Sequence, residues 1–134
     1  MTVTWKWVRE DVVLAIHDAQ ISEHGGLAGI RDLGLVQSAL SRPMNLAHYG
    51  KPSITELAAA YVYRLAKNHG FADGNKRTAY IVALVFLLDN GFEFIGEDTD
   101  SVITILAVAS SKLTEKKLAD WFDKNIRRVK HRNS

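Results

Sequence analysis

The sequence contains no cysteine, which excludes disulfides, thiolate zinc sites and a cysteine nucleophile. It has only two prolines, Pro43 and Pro52, and no repeat, low-complexity tract or Pro-rich stretch that would mark a linker. At 134 residues it is therefore expected to form one domain, 1–134, of ordinary size. Long hydrophobic runs are also lacking. The longest, Ala79 to Leu88, has 10 residues, about half of the roughly 20 that a helix needs to cross a bilayer, so no membrane span is expected. The opening Met-Thr-Val-Thr-Trp-Lys-Trp has neither the basic nor the apolar stretch of a secretory signal, and a cytoplasmic protein is expected. An overall basic surface is missing too. Residues 1–123 hold 12 basic and all 15 acidic residues, a net charge of −3. Direct nucleic-acid binding is not expected of such a body. The remaining basic residues, Lys124, Arg127, Arg128, Lys130 and Arg132, are read as a solvated helix end whose cations suit the helix dipole; contact of this tail with RNA or DNA is the alternative.

What is present is a chain with 47% hydrophobic and 24% charged residues, enough apolar material for a core. Apolar positions recur at helical spacing. The expected helices run from about Glu10 to Glu23, stopped by Gly25 and Gly26; from Leu33 to Leu40, before Pro43; and from Ser53, three residues ahead of Glu56 in capping-box spacing, to about Asn68. A fourth runs from about Asn75 to Asn90. It is apolar all round and is the expected central helix. A short extended piece, Phe92 to Ile95, precedes a helix starting at Asp98 or Thr99 and ending at Ala109. Thr114 caps the last, with Leu118, Trp121, Phe122 and Ile126 facing inward. The expected fold class is all-α, about six helices with a small flap or hairpin. Met44 to Lys51, between the two prolines, is a loop or short extended flap. For Glu23, His24, Arg31, Asp32 and Arg42, helix termination and surface ion pairs are expected.

Between the third and fourth helices stands His69-Gly70-Phe71-Ala72-Asp73-Gly74-Asn75-Lys76-Arg77-Thr78. A helix start offers unpaired N–H groups and the positive end of the dipole, so Gly74 to Arg77 form a candidate anion cradle. Gly74 permits close approach, Lys76 and Arg77 add charge, and Arg77 can fork onto two phosphate oxygens. Asp73 is a hard oxygen ligand of the kind Mg²⁺ combines with phosphates. His69 can accept a hydroxyl proton near neutral pH and is the candidate base. Phe71, apolar in a polar loop, is the candidate structural anchor. The same residues also suit a bound structural anion, or a turn in which Asp73 merely caps the helix; on the residues alone all three readings stay open.

The stretch resembles the Fic/Doc signature, His-x-Phe-x-(Asp or Glu)-Gly-Asn-(Gly or Lys)-Arg, at His69, Phe71, Asp73, Gly74, Asn75, Lys76 and Arg77. Likeness to the death-on-curing (Doc) branch extends over Glu23-His24-Gly25-Gly26, Gly29-Ile30-Arg31-Asp32, Gly34-Leu35, Ser38-Ala39-Leu40, Arg42-Pro43 and Asn75 to Ala79. That resemblance implies a toxin of a type II toxin–antitoxin pair, with a helical bundle whose loop binds ATP with Mg²⁺. It implies His69 as base, Asp73 on Mg²⁺, Asn75 positioning phosphate, and Lys76 and Arg77 holding phosphates. Doc toxins are protein kinases that pass the γ-phosphate to a threonine of elongation factor Tu; most other Fic relatives transfer AMP. The AMP-transferring branch usually has Gly where this chain has Lys76 and a second Arg where it has Tyr80, so both residues favour the kinase. The Pro common after the signature His is Gly70 here, expected to loosen the loop slightly. The resemblance also implies that the Met44 to Lys51 flap aligns the target by strand addition. The self-inhibitory (Ser or Thr)-x-x-x-Glu-(Gly or Asn) motif is missing, since no Glu is followed by Gly or Asn. Inhibition is then expected from a helix of a Phd-like antitoxin, and a non-enzymatic co-repressor role beside that antitoxin is a further reading.

Overall fold

Ser53 and Glu56 start the helix around which the molecule is assembled. The Ser53 hydroxyl accepts the Glu56 N–H while the Glu56 carboxylate accepts the Ser53 N–H, a complete capping box that satisfies two otherwise unpaired donors. In a computed structural model describing residues 4–130, this helix, α3, spans Ile54–Asn68. It follows α1 (Glu10–His24) and α2 (Leu33–Tyr49), and precedes α4 (Asn75–Asp89), β1 (Phe92–Phe94), α5 (Asp98–Ala109), α6 (Glu115–Asp123) and β2 (Ile126–Arg128). The fold is all-α, its only strands among the described residues being β1 and β2, paired antiparallel with Phe92 opposite Arg128 and Phe94 opposite Ile126.

The central helix is α3, not α4. Ten of the fifteen α3 residues are buried, and the helix packs against α2, α4, α5 and α6. On α4, Leu88 is 58% exposed and Ile81, Leu84 and Val85 are only partly buried. Apolar residues on every side of α4 thus include a row that helices of this chain do not cover. Phe86, on its inner side, meets Trp7 in a stacked contact and Tyr61 in a tilted one.

Two expectations about the middle and end of the chain are corrected. Pro43 does not end α2, which runs on to Tyr49, so Met44 to Lys51 is no extended flap. A proline inside a helix sacrifices one hydrogen bond, a cost of about 3 kcal/mol. Here the buried face of Val36, Ala39, Leu40 and Pro43 continues into Leu46 and Ala47 against the core. Full burial of a Val or Leu side chain is worth roughly 1.5–3 kcal/mol, so this face, with the partly buried Leu46 and Ala47 extending it, offsets the cost of the proline. At the other end, α6 stops at Asp123. The Asn125 amide donates to the Trp121 carbonyl, and the chain turns into β2, where Ile126 pairs with Phe94. In the described part of the basic tail Lys124 ends α6, as expected, whereas Arg127 and Arg128 belong to the strand β2 and not to a helix end. Its Arg127 pairs with Glu93 across the sheet and Arg128 lies 5.0 Å over the Phe92 ring. Arg132 lies outside the described residues. No helix among those described is long and apolar enough to cross a membrane.

Candidate active site

The segment joining α3 to α4 is held on every side. His69 closes α3 in the left-handed region, φ 53°, uncommon for a residue with a Cβ. This turn sends the chain back over the start of α2. Arg31 braces it, its Nε donating to the His69 carbonyl at 2.8 Å, so Arg31 serves the loop and is no surface ion pair. The His69 side chain is exposed.

Gly70 is buried. A Cβ there would come within 2.6 Å of Val36 Cγ2 and 3.0 Å of the Val36 nitrogen, and its carbonyl accepts both the Arg31 and the Asp32 N–H at 2.9 Å. The residue standing in place of proline is thus enclosed by α2 and hydrogen-bonded to its start. Asp32 begins α2, its carboxylate accepting the Leu35 N–H at 3.2 Å, a helix start and not a helix stop. The strand-like neighbour of the loop is the segment 29–32, with Ile30 bridged to Phe71 and the Ala72 N–H donating to the Gly29 carbonyl.

Phe71 is 2% exposed and stacks on His17 of α1 with ring centroids 3.9 Å apart and planes 8° from parallel. Asn75 spans the Phe71 peptide groups: its Oδ1 accepts the Phe71 N–H and its Nδ2 donates to the Phe71 carbonyl, both at 3.0 Å. Asp73 is exposed, and its carboxylate accepts the Gly74 N–H at 2.9 Å and the Leu27 N–H at 3.3 Å. These backbone donors, with the nearby Arg77 and Lys76 charges adding less, hold its pKa below the ordinary carboxylate range. Gly26 makes this approach possible, because a Cβ there would sit 2.7 Å from Asp73 Oδ2.

Gly74, left-handed at φ 74°, is the residue before α4, and no side chain caps that helix. Of the N–H groups at this helix start the Asp73 carboxylate accepts only that of Gly74, the residue before the helix, which removes the reading of Asp73 as a plain helix cap. An uncapped first turn leaves N–H groups available to an anion. Lys76 and Arg77 are exposed, and Arg77 Nη2 donates to the Gly25 carbonyl at 3.4 Å. Both border a cleft of about 470 Å³ whose other walls include Gln20 and His24 of α1, Tyr80 of α4, and Val102 and Leu106 of α5. His69 and Asp73 do not line it. Tyr80 is bonded through its hydroxyl to Ser101 at 3.3 Å.

Among the described residues no three His, Asp or Glu side chains stand together to hold a metal. A lone exposed carboxylate kept ionised beside an anion cradle does fit Mg²⁺, which takes one or two carboxylates together with phosphate oxygens and water. Three residues escaped the sequence reading. His17 falls four positions after Val13 on the buried side of α1, and that spacing was its only signal. Gly26 read as a helix stop, and Arg31 as a surface charge.

Comparison with known proteins follows the same lines. A family model, that of the Fic/DOC family, matches residues 7–87. The chain is 32% identical over 114 residues to a protein named protein kinase doc from Escherichia phage P1, covering 84% of this chain and 90% of that one. It is 40% identical over 92 residues to a protein named toxin Doc from Mycolicibacterium smegmatis, covering 66% of this chain and 67% of that one.

Proposed function

The chain belongs to the Fic/DOC family, and from that premise we propose that it is the toxin of a toxin–antitoxin pair and acts as an ATP- and Mg²⁺-dependent protein kinase, moving the γ-phosphate to a threonine of elongation factor Tu. The observation that carries this reading is the uncapped, glycine-led start of α4 flanked by Asp73, Lys76 and Arg77, one tight loop away from His69. Relatives named protein kinase doc and toxin Doc support it, as does the pair Lys76 and Tyr80, which departs from the AMP-transferring pattern.

His69 takes the proton of the acceptor hydroxyl, whose oxygen bonds to the γ-phosphorus as the bond to the β–γ bridging oxygen breaks and ADP leaves. The N–H groups at the start of α4, with Lys76 and Arg77, neutralise the charge spread over the transferring phosphoryl oxygens. Asp73 would hold Mg²⁺, which would supply further charge neutralisation on the phosphates. Both amide atoms of Asn75 are engaged by Phe71, so Asn75 serves the phosphate through its backbone N–H and the shape of the loop. Phe71 anchors that loop. An antitoxin helix lies in the cleft between α1, α4 and α5, its acidic residues toward Lys76 and Arg77, in place of the inhibitory motif this sequence lacks.

Incubation of the purified protein with elongation factor Tu, Mg²⁺ and ATP labelled at either the α or the γ position tests the reading. Label should pass to the factor from the γ position only, and His69→Ala should abolish it. Transfer of α-label would replace the kinase reading by AMP addition, and no transfer of either label would remove both.

A further inference from the structure

Among the described residues one histidine is buried, and the reaction proposed above does not use it. His17 is 1% exposed, at the middle of α1. Packing alone does not explain an imidazole in this place, because an apolar side chain would fill it without the cost of burying polar atoms. Its ring stacking and its hydrogen bond both fall on the phosphate-binding loop, while Nδ1 lies 3.9 Å from the exposed Asp18 carboxylate of the same helix. One face of the ring lies flat on Phe71, and Nε2 is 2.8 Å from the Asp73 carbonyl oxygen. A peptide carbonyl only accepts, so Nε2 carries the hydrogen and donates it.

The carbonyl of Asp73 and the N–H of Gly74 belong to the same peptide unit. Rotation of that unit changes ψ of Asp73 and φ of Gly74 together and little else. Glycine tolerates both signs of φ at small cost, so with Gly74 at φ 74° sterics alone do not fix which way the unit faces. Turned over, it would present the Asp73 carbonyl where the Gly74 N–H now stands, and would release that N–H from Asp73 Oδ1. A carbonyl oxygen at the entry to α4 repels an anion. The bond from His17 opposes this rotation.

We infer that His17 is a positioning residue that locks the Asp73–Gly74 peptide unit in the orientation that keeps the start of α4 receptive to phosphate. The role rests on the proposed transfer reaction for its consequence, though not for its geometry. α1 thus sets Asp73 at both ends: His17 fixes its carbonyl, and the segment leaving the helix, through the Leu27 N–H, fixes its carboxylate.

Two substitutions separate the lock from simple packing. His17→Phe keeps a ring against Phe71 but lacks the donor; His17→Gln places an amide N–H near the position of Nε2 but lacks the ring. Amide NMR on the ligand-free protein reads the loop directly, and γ-phosphate transfer reads its consequence. For His17→Phe the Gly74 amide resonance should double or broaden through exchange on the microsecond to millisecond scale, and kcat/KM should fall by about tenfold or more, as small misplacements of reacting groups produce. For His17→Gln the Gly74 resonance should stay single, with kcat/KM within about threefold of the unsubstituted protein. A single, sharp Gly74 resonance in a folded His17→Phe protein overturns the inference, as does equal loss in both variants. Should the unsubstituted protein transfer no phosphate while His17→Phe still shows the exchanging Gly74 amide, the kinase reading fails and the lock stands. If His17→Phe does not fold, the Gln variant decides: a doubled Gly74 resonance there overturns the lock, and a single one supports it.

Discussion

Asn75 closes both sides of the Phe71 residue, accepting its N–H and donating to its carbonyl at 3.0 Å each, so that the first residue of α4 tethers the loop that feeds into it. Asn75→Asp keeps the acceptor and turns the donor into an oxygen facing another oxygen. The variant should lose about 1–3 kcal/mol of stability, read by urea unfolding, with phosphate transfer reduced beyond what the unfolded fraction explains. Stability equal to the parent protein would mean that the tether is dispensable.

Neighbouring glycines at the end of α1 give a matched pair. A Cβ at Gly26 meets Asp73 Oδ2 at 2.7 Å, whereas a Cβ at Gly25 meets nothing within 4 Å; both have positive φ, 115° and 80°. Backbone strain is therefore common to both alanine variants, and the clash with Asp73 belongs to Gly26→Ala alone. Both should melt at lower temperature, while only Gly26→Ala should weaken magnesium-dependent nucleotide binding by calorimetry. Equal binding by the two variants would show that the carboxylate position is not what matters.

Asp73 carries a pH signature. The Gly74 and Leu27 N–H groups favour its charged form and lower its pKa below the ordinary value of 3.8. A depressed carboxylate contributes stability above its unfolded value and loses it as pH falls through the folded value. The difference in melting temperature between the parent protein and Asp73→Asn should thus be constant above about pH 5 and shrink as the pH falls below about 4. A difference that persists unchanged to the acid limit would assign the effect to shape and not to charge.

Much of this arrangement was legible before any coordinates. Ser53 with Glu56 marks the start of α3, Thr114 the start of α6, and the run from His69 to Arg77 marks the loop, because local hydrogen bonding and backbone freedom are written in short spans of sequence. Pro43 misled because a local rule against proline in helices was outweighed by burial of Leu40, Leu46 and Ala47, which depends on where α3 lies. The burial of α4 was overestimated because apolar composition does not say whether a covering partner is in the same chain. His17, Gly26 and Arg31 were missed for a related reason. Each acts on a residue 38 to 57 positions away, at Asp73, His69 or Gly74, and no local pattern encodes such a contact.

Tyr61 joins the N-terminal segment to the core. Its hydroxyl accepts the Val8 N–H at 3.2 Å, and burial, partly offset by that bond, pushes its pKa from 10.0 up to about 12. The neutral phenol is favoured in the fold. The unfolded chain releases the proton near pH 10 and the folded protein near 12, so stability should decline across that interval, by about 2–3 kcal/mol at its upper end. Tyr61→Phe should remove this decline and cost about 1–3 kcal/mol at neutral pH by leaving the Val8 N–H unpaired. Ultraviolet titration should find one of the four tyrosines ionising last; loss of the late component in Tyr61→Phe checks the assignment.

The cleft beside the loop allows the proposed transfer to be tested apart from its proposed control. Val102 and Leu106 of α5 are 59% and 51% exposed and line the cleft together with Lys76 and Arg77, but neither belongs to the loop proposed to handle phosphate. If an antitoxin helix occupies the cleft, Leu106→Glu introduces a charge that the apolar contact cannot accommodate and that repels the acidic residues paired with Lys76 and Arg77. Phosphate transfer by the isolated protein should be unchanged, while neutralisation by its antitoxin should weaken by about 100-fold or more, given the several kcal/mol typical of a buried, unpaired charge at an interface. The measurement is the antitoxin concentration that halves transfer. An unchanged inhibition curve places the antitoxin elsewhere, and loss of transfer without antitoxin would make α5 part of the catalytic surface instead of its cover.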